Sequence, residues 1–210
     1  MLGRTLFATA LLAVTGAVSA QNVSRPTSEF YFDADANTVK PIVAVRETGD
    51  VATEKLVKAI ERNPRAKGEV AQLAHLAMGA GRLDLGKQLY GRALTAIDRN
   101  DSLWRAVVWN YGWDLYRTGD FEGAFAQWRQ LVESRAVTAS WMPPTLALSL
   151  WSLGRKDEAV QWYAAAVRTE PQQWNSAARF ASLLPDWSDT ERSMLTEVQA
   201  AWAANPPTWP

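Results

Sequence analysis

One spacing recurs along this chain and limits its fold more than any other feature. It runs Gly, a small residue five positions on, an aromatic four further, then a small or aliphatic residue three further. The copies are Gly81, Gly86, Tyr90, Ala93; then Gly119, Ala124, Trp128, Leu131; then Gly154, Ala159, Tyr163, Ala166. Successive copies stand 38 and 35 residues apart, and a weaker copy, Ala52, Leu56 and Ala59 followed by Pro64, precedes the first by 34. A period of this size marks stacked supersecondary units. The four- and three-residue steps bring the small, aromatic and apolar residues onto one helix face, where two helices touch. Each unit therefore reads as a helix hairpin, and about four units fill residues 51–185.

Gly and Pro punctuation predicts helices near 51–62, 67–79, 83–98, 102–117, 121–134, 141–152, 156–169, 172–184 and 188–204. The fold class is all-α. The last helix, within 186–204, opens on Ser188-Asp189-Thr190-Glu191, a capping box in which Ser188 and Glu191 satisfy each other's amides. It is expected to cap the stack, with Asp189, Glu191, Arg192 and Glu197 facing water and Leu195, Val198 and Trp202 packing inward. The Pro-rich tail, 205–210, is expected to be extended. Residues 21–50 do not repeat. The β-prone runs Glu29 to Phe32 and Val39 to Val45 flank a polar stretch, Asp33 to Asn37, and suggest a loose hairpin or an extended arm lying on the helices.

Two stretches carry a family likeness. Residues 110–124 hold Gly112 in a first helix, the turn Gly119-Asp120-Phe121, and Ala124 opening a second. Residues 153–171 hold Leu153-Gly154, then Asp157-Glu158-Ala159, Tyr163, Ala166 and a closing Glu170-Pro171. This pattern resembles the tetratricopeptide repeat over roughly residues 50–185. The resemblance implies a right-handed α-solenoid whose concave groove binds extended peptides. The chain departs from the family at Gly86, where Ala is preferred, at Pro143-Pro144, and at about four extra residues near Arg135 to Ala139.

Residues 1–20 carry one charge, Arg4, an apolar stretch from Leu6 to Val14, and a close on Ala17-Val18-Ser19-Ala20. That is the layout of a secretory signal peptide cleaved before Gln21, and it points to a periplasmic or secreted protein with no membrane span once the segment is removed. The chain has no Cys, which excludes a disulfide scaffold, a thiol enzyme and a lipoprotein anchor. Its 22 Lys and Arg balance 22 Asp and Glu, which argues against a nucleic-acid binder.

No catalytic, metal or cofactor constellation emerges, so the chain is expected to be non-enzymatic. The one histidine, His75, lacks the further ligands or the nucleophile that a zinc site or triad needs. Asp33 to Asn37 begins like a calcium loop, but Thr38 stands in place of the loop's Gly and Ala44 in place of its bidentate Glu. Gly79-Ala80-Gly81 lacks the third Gly and preceding strand of a dinucleotide site.

What stands out is the helix around residue 110, with two apolar stripes. Trp104, Val108, Tyr111 and Leu115 form one, and Ala106, Trp109, Trp113 and Tyr116 form the other, about 100° away around the axis. One face cannot bury both. The resemblance implies that the second stripe points into the groove, joined by His75 and Met78 from the preceding unit and by Trp141, Leu148 and Trp151 from the following one, with Arg117 and Asp114 orienting the ligand. Two arrangements remain open: an aromatic trough that takes a partner, or rings covered by neighbouring helices, the chain's own N-terminal arm or its tail. The functional expectation is a protein-binding scaffold or adaptor of the cell envelope, with a protein or peptide as partner. A glycan-handling module of a polysaccharide secretion system and a purely structural subunit are the alternatives.

Overall fold

A computed structural model describes residues 25–26, 32–135 and 138–208. The expected signal segment, the run 29–31 and the last two residues of the tail lie outside them. The described chain is mostly helix: α1 (Gly49–Arg62), α2 (Lys67–Gly79), α3 (Leu83–Ala96), α4 (Ser102–Arg117), α5 (Phe121–Glu133), α6 (Met142–Ser152), α7 (Lys156–Thr169), the single turns α8 (Pro171–Trp174) and α9 (Phe180–Leu183), and α10 (Asp189–Ala204). The helices pack in adjacent pairs, α2 on α3, α4 on α5 and α6 on α7, and α10 lies against α6 and α7.

The recurring spacing explains the pairing. Gly81, Gly119 and Gly154 each hold a positive φ (74°, 86° and 74°), the left-handed turn that ends one helix and aims the next back along it. After each, the chain closes the same bond: Arg82 N to the Ala77 carbonyl, Asp120 N to Leu115, Arg155 N to Leu150, all 2.9 Å. Tyr90, Ala93, Ala124, Trp128, Leu131, Ala159, Tyr163 and Ala166, the later residues of the motif, are all buried. At α4 and α5 the fit is tight, because the indole of Trp128 lies over Gly112 and donates to the Trp109 carbonyl at 3.3 Å.

One expected helix is broken. Residues 172–184 form α8, a 3₁₀ turn (Ala177–Arg179) and α9 instead. At the break Ser176 is extended and its hydroxyl caps the new turn, and the Tyr163 hydroxyl of α7 donates to the Trp174 carbonyl. In a continuous helix that carbonyl would accept from Ala178 N, which instead binds Ser176 Oγ at 3.3 Å. The C-terminal capping box forms as read, with Ser188 N donating to Glu191 Oε2 at 2.7 Å and Glu191 N to Ser188 Oγ at 3.2 Å. Glu191, expected to face water, is buried.

The arm runs across the helices and is extended except for a turn over residues 36–39, where Thr38 N donates to the Asp35 carbonyl at 3.0 Å. Its start, β1 (Phe32–Asp33), pairs in parallel with β2 (Thr138–Ala139), within the stretch where the repeat carries its extra residues. Further on, the carboxamide of Gln72 on α2 binds its backbone three times: Ala44 N at 2.8 Å and Val45 N at 2.7 Å donate to Oε1, and Nε2 donates to the Val45 carbonyl at 2.7 Å. Asn110 on α4 donates to the Lys40 carbonyl at 2.9 Å. Among the described residues no helix is long and apolar enough to cross a membrane.

Candidate functional site

The second stripe of α4 is not an open trough. Trp109, Trp113 and Tyr116 are each 7% exposed, and the first stripe is buried beside them except for half-buried Tyr111. Both stripes are covered because α4 is enclosed on several sides. Trp128 of α5 lies against Trp113 with ring centres 5.0 Å apart, and Trp141, capping α6, tilts onto Trp109 at 4.4 Å. Trp187, in the loop before α10, meets Trp113 edge to face at 5.1 Å. Such offset and edge-on geometries are the favoured ones between indoles.

The rings leave a cavity of about 360 Å³ between α4, the arm and residues 183–187 at the end of α9 and after it. Its wall includes Trp109, Trp113, Trp141 and Trp187, with Val39 and Pro41 of the arm on one side and Leu183 to Asp186 on another. His75, Asn110, Asp114 and Arg117 complete it. The helical repeat explains the α4 contribution, since residues 109, 113 and 117 lie one turn apart, as do 110 and 114.

Of the residues expected to form the site, the cavity gathers six: His75, Trp109, Trp113, Asp114, Arg117 and Trp141. Met78 and Leu148 are core residues, 3% and 0% exposed. Met78 lies over Gly86, where an added β-carbon would meet its Sδ at 2.5 Å, so a larger residue fits there only if Met78 moves. Tyr116 turns away, its hydroxyl 2.8 Å from Ser152 Oγ. Trp151 belongs to a shallower cleft with Asp157, Gln161 and Pro207, where its indole N–H donates to Glu197 at 3.0 Å and Lys156 sits 4.6 Å over its ring. The sequence reading missed Trp187, whose distance along the chain from α4 hides it.

The polar edge of the cavity is a linked set. Asp114 is buried and accepts from the Tyr90 hydroxyl at 2.6 Å, and His75 Nδ1 lies 3.0 Å from both its carboxylate oxygens. The hydrogen bond to Asp114 raises the His75 pKa above its ordinary 6.5, against burial and the nearby Arg117 charge. Burial, with the Asp114 charge second, pushes Tyr90 well above the usual tyrosine range, so it stays a donor. Arg117 lies 4.8 Å over the Trp113 ring and donates to Glu191 through Nε at 2.9 Å and Nη2 at 3.3 Å. Among the described residues no three His, Asp or Glu side chains converge as metal ligands. The arrangement can enclose an apolar group and hydrogen-bond its polar edge.

No family model matches this chain, and a comparison with curated proteins finds no relative.

Proposed function

We propose that this chain is an exported, non-enzymatic recognition module, a short solenoid of tetratricopeptide-like hairpins that acts as an adaptor in the cell envelope. It captures an extended segment of a partner protein along α2 and α4, with an apolar side chain anchored in the Trp-walled cavity. The observation that carries this reading is the seat of the arm. Gln72 and Asn110 hold the arm by its backbone while Val43 stays 60% exposed, so this surface reads an extended main chain largely independently of side chains. The cavity beside it is of ligand-pocket size, mostly apolar, with a few convergent polar groups. Export rests on the layout of residues 1–20.

Selection of peptides from a random display library, followed by titration read through Trp emission, tests this. Peptides bind the wild-type chain and lose at least about tenfold in affinity to a His75→Ala, Trp141→Ala variant, which alters the rim and spares Trp113 and Trp128. Emission changes with oligosaccharides alone reassign the surface to glycans. Silence toward both classes ends the proposal.

A further inference from the structure

The far end of the arm is held differently from its middle. Arg105 of α4 donates to Asp35 Oδ2 through Nε at 3.1 Å and also through Nη2, and its Nε lies 3.2 Å from Thr38 Oγ1. Arg135, in the extra residues after α5, reaches Asp33 Oδ2 at 2.6 Å and Asp35 Oδ1 at 3.2 Å. The side chains of Arg105 and Asp35 are only 13% and 10% exposed. Asp35 adopts a positive φ of 32°, which Asp tolerates better than most residues other than Gly, while it makes these contacts. Between this double anchor and the Gln72 clamp, Thr38 is buried and Val39 and Ile42 pack partly on the core, while Val43 is exposed.

These features define a track with a required chemistry. A guanidinium as enclosed as that of Arg105 needs a carboxylate partner, because an unpaired charge there is strongly unfavourable. Any chain that takes the arm's place must bring one. Resting on the peptide-binding reading above, we propose that the partner's segment is acidic at its leading end. It carries two carboxylates two residues apart for Arg135 and Arg105, followed by a turn like that of residues 36–39 and then by backbone that Asn110 and then Gln72 grip. Residues 32–46 are the chain's own copy of that ligand and occupy the track in competition with the partner. Since Val39 and Pro41 also wall the Trp cavity, displacement of the arm opens the anchor site in the same event. Apparent partner affinity falls by the fraction of molecules whose arm is seated.

A fluorescein-labelled synthetic peptide of residues 32–46, added to the full chain, provides the test. A chain carrying Asp33→Asn and Asp35→Asn, whose own arm is unlatched but whose arginines remain, binds the peptide at least about tenfold more tightly than the wild type does. Adding Arg105→Ala to that chain removes the gain, and a peptide with both Asp replaced by Asn binds neither. No gain in the Asn variant, with its helical circular dichroism intact, overturns the proposal. Should that variant lose its fold, hydrogen exchange on the wild-type chain decides. Millimolar unlabelled peptide speeds exchange of the chain's own Ala44 and Val45 amides if the track is exchangeable, and unchanged rates overturn the idea. Library peptides that bind at the Trp cavity without competition from the 32–46 peptide would leave the recognition role standing and this proposal refuted.

Discussion

A β-carbon at Gly112 would stand 2.2 Å from Nε1 of Trp128. No side chain real or small fits that gap, and the ring cannot retreat, since Trp128 is wholly buried and bonded to the Trp109 carbonyl. Gly112→Ala is therefore expected to lower stability by about 1–3 kcal/mol, the usual range for overpacking, although Ala would favour an exposed helix by roughly 0.5–1 kcal/mol. A fall in the urea midpoint with unchanged slope shows it.

The only histidine titrates against Asp114. Its folded pKa lies above the unfolded value near 6.5, so the pair stabilises the fold fully below that value and the contribution is lost as pH rises through the folded pKa. The stability difference between wild type and His75→Ala is thus largest from about pH 5 to 6 and shrinks above neutrality. Proton NMR of the single imidazole should give a midpoint above 6.5, and a midpoint below it would contradict the pairing. Half-exposure of the ring keeps the energetic effect small.

Because Trp113 is core, its removal is a stability event before it is a binding event. Trp113→Ala is expected to cost about 3–5 kcal/mol. The triple replacement of Trp109, Trp113 and Tyr116 by Ala should lose the cooperative thermal transition in circular dichroism. A triple variant that melts like the wild type would show these rings to be dispensable.

Glu191 ties the start of α10 to the end of α4. It accepts from Ser188 N and from Arg117, and it is 5% exposed. Glu191→Ala should cost more than the ~1 kcal/mol of a lost cap alone. A double-mutant cycle with Arg117→Ala should show coupling between the two, and strict additivity would mean the pair is idle.

Most helix limits were legible in the sequence. Gly81, Gly119 and Gly154 announce the turns, Ser188 and Glu191 announce α10, and the buried motif residues follow the 3.6-residue period. The break after Trp174 was not legible, since the Tyr163 hydroxyl that binds the Trp174 carbonyl there comes from another helix. The four extra residues near Arg135 showed as a flaw in the repeat, and only the fold reveals them as the dock for β1 and for Asp33. In the candidate site, His75, Trp109, Trp113, Arg117 and Trp141 were reachable because helical spacing and the repeat register place them. Trp187 comes from an irregular loop and left no periodic signal.

The sequence by itself determined where the chain coils, where it turns back and which residue of each hairpin is squeezed between helices. Those properties depend on neighbours within a few turns, so local spacing and cap chemistry carry them. Which indoles are hidden, which carboxylate meets Arg105 and what walls the cavity were decided only by the tertiary structure. Burial and charge pairing depend on groups brought together from far along the chain: Asp35 with Arg105, Arg117 with Glu191, Trp113 with Trp187.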